Sequence, residues 1–214
     1  MSKSMSDHDL RWVAVLLVAL AGCGGDAPGD AGEAPAAPVP EAGPPLEIQP
    51  LGDAELMGVD RGQVVVNLPW SNNVLVREPA QASARATLQS VRFQQGPTFD
   101  RFELTFGTEA PFPGYRVVWN DVRTASCAGD PPASLPMPSL LVALEPATAA
   151  EGPAAGTQRV DAGLTSFREA RRICDRLQRL VWAIPAADSG LVRTVELRDP
   201  PRLIVDVQHA TPAP

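Results

Sequence analysis

Thiols and imidazoles, the side chains best suited to nucleophilic or metal chemistry, are scarce in this 214-residue chain: it has three cysteines and two histidines. Cys23 ends the run Leu20-Ala21-Gly22-Cys23, while Cys127 and Cys174 stand far apart, with no CxxC spacing and no histidine nearby. A zinc centre needs at least two or three nitrogen or sulfur ligands. Past Cys23 the one histidine is His209, close to a Pro-rich C-terminus. The ligand count is not met once the two later cysteines pair, so no metal and no cofactor are expected. A Ser-His-Asp triad would have to use His209, which reads instead as a strand-end residue. No G-x-S-x-G, H-E-x-x-H or Gly-rich phosphate loop occurs. A hydrolase built on paired carboxylates is the weakest functional reading, because no spacing singles out a pair. No catalytic residue is assigned.

The chemistry that spacing does support is at Cys23. Residues 12–22 are an apolar run about half the ~20 residues a membrane-spanning helix needs. Lys3 and Arg11 precede it and small residues close it, the pattern of a signal peptide over residues 1–22. Leu20-Ala21-Gly22-Cys23 matches the lipobox of bacterial lipoproteins. There the cysteine thiolate takes a diacylglycerol, and the processing peptidase requires small residues just before it. At ~0.8 kcal/mol per buried CH₂, two acyl chains hold a protein at a membrane where one does not. Lipidation is therefore expected at Cys23. Gly24 stands where an aspartate often signals inner-membrane retention, and whether the anchoring membrane is the inner or the outer one is left open.

Residues 24–45 are almost entirely Ala, Pro, Gly, Asp and Glu, a composition that cannot form a core. We read residues 23–60 as a disordered tether. Its Pro-rich part spans roughly 25 Å as a coil and roughly 65–70 Å fully extended. The formal net charge is −7, and the charges before Cys23 cancel. An acidic chain with no lysine after Lys3 is a poor nucleic-acid ligand, so no nucleic-acid partner is expected.

From about residue 85 the sequence turns to short alternating runs. Phe102, Leu104 and Phe106 share one face, as do Tyr115, Val117 and Trp119; Leu140, Val142 and Leu144; Leu180, Trp182 and Ile184; and Leu203, Val205 and Val207. Period two over four to eight residues means strands with one buried face. Asp199-Pro200-Pro201 is a turn signal. Repeated short strands of this kind predict an all-β chain, a β-sandwich of antiparallel strands. Stretches at 62–68 and 74–77 read as extra edge strands within 61–84, and 120–138 and 146–165 as long loops. Residues 210–214 read as a tail.

One segment conflicts with alternation. Ser166-Phe167-Arg168-Glu169 has the form of a capping box, and Ala170, Ile173, Cys174, Leu177 and Val181 fall on one helical face. Residues 166–177 are therefore either one short helix or strand. Arg168, Arg171, Arg172, Arg176 and Arg179 would share the other face of that helix. They form the one dense basic stretch, either a site for carboxylates or a solvated surface. Trp119 and Trp182 read as core. Trp70, between Pro69 and Ser71-Asn72-Asn73, either stacks on a sugar or packs over the end of the sandwich. Arg101 and Asp206 stand on outward faces, where a surface ion pair or cross-strand contact is expected.

In an exported chain Cys127 and Cys174 most simply pair; two free thiols are the alternative. Pairing would close a loop of about 48 residues and stabilise the fold by roughly 4 kcal/mol in the chain-entropy model.

Three stretches together resemble a known family: Val91-Arg92 through Phe99-Asp100-Arg101-Phe102-Glu103-Leu104-Thr105-Phe106; Pro113-Gly114-Tyr115-Arg116-Val117; and Trp182 through Asp199-Pro200-Pro201-Arg202-Leu203-Ile204-Val205-Asp206-Val207. Over about 85–209 they resemble the AMIN-like domain of exported bacterial lipoproteins, itself similar to the AMIN domain of periplasmic amidases and some envelope secretins. The resemblance implies a β-sandwich, strand at 179–184, and localisation by binding the cell wall. It carries over no catalytic residue. The extension at 46–84 and the cysteine pair depart from the family. The function expected is a non-catalytic, lipid-anchored module for peptidoglycan, with a protein-interaction module of an envelope assembly as the alternative.

Overall fold

The computed structural model describes Gly52, residues 56–120, 123–125, Cys127 and residues 133–210. Cys23, the signal peptide and most of the tether lie outside the described residues. The alternating runs form strands, because period-two burial places every second side chain on one face. In chain order they are β1 (Val64–Asn67), β2 (Leu75–Arg77), β3 (Ala86–Gln95), β4 (Phe99–Phe106), β5 (Gly114–Asn120), β6 (Thr124–Ala125) and β7 (Ala133–Ser134). They continue with β8 (Ser139–Glu145), β9 (Ala147–Thr148), β10 (Arg159–Asp161), β11 (Glu169–Arg176), β12 (Arg179–Pro185), β13 (Val192–Leu197) and β14 (Arg202–Gln208). The stretches read as long loops thus carry short strands of their own.

Two six-stranded sheets result, in the orders β1-β13-β14-β4-β3-β9 and β10-β11-β12-β8-β5-β2. All pairings within them are antiparallel except β3 with β9. Phe102, Leu104, Leu203 and Val205 of the first sheet meet Leu140, Val142, Leu144 and Trp182 of the second in one buried cluster. The Phe102 and Trp182 rings are 6.1 Å apart, so the sheets face each other as a sandwich. Trp182 is fully buried. Trp119 is half-buried and donates its indole N–H to the Gly190 carbonyl at 3.0 Å.

The short helix offered as one reading of 166–177 is not formed; those residues run into β11. A register shift between Arg172 and Cys174 explains the misleading pattern. Arg172 pairs with inward-facing Trp182, whereas Cys174 pairs with Val181 on the opposite face. One extra residue therefore switches the face on which apolar side chains fall, and the spacing imitates a helix. Leu177 and Gln178 then close the β11–β12 hairpin with φ of 51° and 66°, as a two-residue primed turn requires. Leu177, assigned to the apolar helix face, is 79% exposed.

Arg101 and Asp206 do stand on the outer face of the first sheet, but they are not a surface pair: Arg101 is 1% exposed and Asp206 fully buried. Arg101 Nε and Nη2 donate to the two Asp206 oxygens at 2.8 and 3.0 Å. Arg193 Nε donates to Asp206 Oδ2 at 2.9 Å. Chain from before residue 86 covers this face. Leu56, Val59 and Val64 pack on Val195, Leu197 and Ile204, and the Leu56 carbonyl accepts from Arg101 Nη1 at 3.2 Å. β13 is accordingly inverted, with Val195 and Leu197 outward and Thr194 turned inward to the Tyr115 hydroxyl. Breaking a buried ion cluster from one side leaves uncompensated charge, whereas replacing all of it with apolar groups of similar size is often neutral. Asp206→Ala should therefore lose about 3–5 kcal/mol in urea denaturation, and the triple change Arg101→Met, Arg193→Met, Asp206→Leu should lose far less. Equal losses from the two would contradict this account.

Candidate ligand-binding groove

The five arginines of the basic stretch are distributed by strand geometry rather than gathered. Arg172 turns inward and donates to the Ala154 and Ala155 carbonyls at 3.3 and 2.7 Å. Arg171 lies against the Glu169 carboxylate, which also holds Arg159 at 2.6 Å. Arg168 and Arg176 are exposed. Arg179, also exposed, is the one member of the five that lines the groove described below. Trp70 is half-buried over the end of the first sheet, with the Arg193 guanidinium carbon 4.5 Å from its ring centroid and Phe99 5.9 Å away. It supports the buried ion cluster and does not reach the groove. Cys23 lies outside the described residues.

Cys127 and Cys174 form a disulfide. Their sulfurs pack with Val181, Ala143 and Ile173 on the outer face of the second sheet. The bond thus fixes Cys127 over part of that face. Asp100, next to Arg101, turns the other way. It is fully buried, accepts from the Ser166 backbone N–H at 2.5 Å and contacts His209 Nε2 at 3.0 Å. His209 therefore sits at the end of β14, against a structural carboxylate.

At one end of the sandwich a polar cluster lies between the sheets. The Tyr115 hydroxyl lies 3.0 Å from Thr194 Oγ1 and donates to Glu196 Oε1 at 3.0 Å, while Arg77 Nε donates to the same oxygen at 2.9 Å. Burial, then the nearby Glu196 charge, pushes the Tyr115 phenol well above its ordinary value of 10.0. The hydrogen bond to Glu196 raises Arg77 further despite its partial burial.

Beside this cluster a groove of about 450 Å³ opens across the second sheet, within the size range of ligand sites. Strand register builds it. Val76, Arg116, Ala143, Val181 and Cys174 form one row across β2, β5, β8, β12 and β11. The small Ala143 lowers the middle of the row between Arg116 and the disulfide. Gly114 lines the groove below Pro79; a Cβ at Gly114 would lie 2.7 Å from Pro79 Cδ, so only glycine lets the 77–79 segment approach. Arg116 and Arg179 flank the groove, and Glu78 and Glu145 also line it. Sequence reading missed Arg116. Its outward place between inward Tyr115 and Val117 was the available signal.

Among the described residues no group of three or more His, Cys, Asp or Glu is placed to hold a metal, and no helix is long and apolar enough to cross a membrane. The site offers charge and shape: guanidinium forks suited to carboxylates, beside two carboxylates. The described residues thus form an all-β sandwich that carries a charged groove on one outer face. The family is shown directly: the AMIN-like domain matches residues 86–209, more than half of the chain, and the chain belongs to that family. No curated protein and no solved structure matches it.

Tyr115 is the single tyrosine, so phenolate absorbance reports on it alone. A phenol kept protonated by the fold stabilises the folded state fully below its ordinary value, and that contribution is lost as pH rises towards the raised value. Alkaline titration should therefore show a midpoint well above 10.0 in the folded protein, returning to the ordinary value in denaturant; a native midpoint at the ordinary value would refute the buried cluster. For the disulfide, Cys127→Ser/Cys174→Ser should lower stability by roughly 4 kcal/mol, the loop-entropy value for its separation of 47 residues. Denaturant melts of oxidised protein and the double variant check this, and coincident curves would deny the bond its role.

Proposed function

We propose that this protein is a lipid-anchored envelope protein whose domain binds peptidoglycan without catalysing a reaction on it. The observation that carries the reading is membership of the AMIN-like family over residues 86–209. Leu20-Ala21-Gly22-Cys23, with the apolar run before it, supports export and lipidation at Cys23. The Pro-rich tether then gives the domain reach from a lipid surface, the cell membrane or the outer membrane, towards the wall. A second reading, a protein-interaction module of an envelope assembly, is favoured by the edge strand β2. Val76 in it and Val74 just before it are 48% and 41% exposed, and a partner strand pairs with such an edge by augmentation.

The full chain, purified in detergent, should co-sediment with isolated sacculi well above an unrelated acidic lipoprotein. Cys23→Ser should leave that retention unchanged while releasing the protein from membranes in cells. No retention above the control would overturn wall binding, and one dominant cross-linked protein partner would then favour the second reading.

A further inference from the structure

We propose that the groove on the outer face of the second sheet is a binding site for a short peptide carrying both a free carboxylate and a free amino group. In this site Arg116 and Arg179 take the carboxylate, and Glu78 and Glu145 face the ammonium. Charge pairing supports the assignment. Several arginines elsewhere in this acidic chain are engaged by carboxylates: Arg85 with Glu151, Arg159 with Asp161 and Glu169, Arg202 with Glu103. Arg116 and Arg179 are exposed and, among the described residues, have neither an ion pair nor a hydrogen bond from their side chains. Glu78 and Glu145 are exposed and unpaired in the same sense. Two unpaired cations and two unpaired anions thus line one cavity without neutralising one another.

Register sets Arg116 apart from Glu145, while Arg179 on β12 comes beside Glu145, one step past the Leu180–Leu144 pair, without an ion pair between them. Arg116 lies in the row of Ala143, whereas Glu145 pairs with Gly114, two residues further along β5. Arg77, at the edge of the groove, is already engaged by Glu196 and fixes the wall rather than the ligand. Ala143 and Gly114 keep the floor low, leaving room for peptide backbone. A sugar polymer without ionic groups would leave all four charges unused. The site deepens the wall-binding reading and rests on it for the source of the peptide: wall stem peptides bear free carboxylates and, at their diamino residue, a free amine.

Calorimetry on the full chain in detergent tests this with a synthetic stem tripeptide ending in meso-diaminopimelate. Its fully amidated form and peptide-free glycan strands are the comparisons. The tripeptide should bind, and Arg116→Gln/Arg179→Gln should weaken it about tenfold, as expected for losing charge-assisted hydrogen bonds at an open site. Amidation should weaken it similarly, and Ala143→Met should block it by filling the floor. Unchanged tripeptide affinity in both variants, each melting like the wild type, would overturn the site, as would absence of tripeptide binding to the wild type. Sacculus retention without tripeptide binding rejects the groove and leaves wall binding standing. Tripeptide binding without sacculus retention supports the groove and rejects the wall as its source.

Discussion

A single carboxylate, Asp206, holds two guanidinium groups on the outside of a sheet where water does not reach. Breaking such a cluster from one side is costly, and it depends on the cover above it staying in place. Asp206 answers Arg101 on β4 and Arg193 on β13, so the three central strands of the first sheet are joined by side chains as well as by their ladders. Trp70 and Phe99 lie against Arg193, and the Leu56 carbonyl accepts a hydrogen bond from Arg101. The short motifs around Phe99-Asp100-Arg101 and Asp206 thus have an architectural role: they tie the sheet to the chain that covers it.

The two sheets are closed differently on their outer faces. The first is covered by apolar residues from Leu56 to Val64. On the second, the Cys127–Cys174 disulfide packs against Val181 and Ala143. Next to Ala143 lies the groove, where Gly114 and Ala143 stand among Arg116, Glu145 and Arg179. One face is therefore committed to holding the fold together, and the other retains unpaired charge at its surface.

Much of the fold was legible because alternation depends only on neighbours in sequence. The inward faces of β4, β5, β8, β12 and β14 follow directly from their apolar positions. The β11 segment was not legible, since a bulge reproduces helical spacing and no local residue distinguishes the two. The outward position of Arg101 and Asp206 was legible, but their burial was not, because the cover comes from residue 56 and the sequence carries no mark of that distant contact. The groove was least legible. Arg116 and Arg179 stand on strands separated by β8, and only the pairing of both strands with β8 brings them to one cavity. The basic stretch 168–179 drew attention by density, yet density in sequence became dispersal in space.

The cover over the first sheet bears on where this domain begins. The family match starts at residue 86, while described chain from Leu56 onward packs on the first sheet. The residues that shield Arg101, Asp206 and Ile204 lie in that intervening stretch. Homology and folding therefore draw different boundaries on the same chain. A piece cut at residue 86 would open a charged, half-apolar sheet face to solvent, so this domain depends on a segment that the family match does not span.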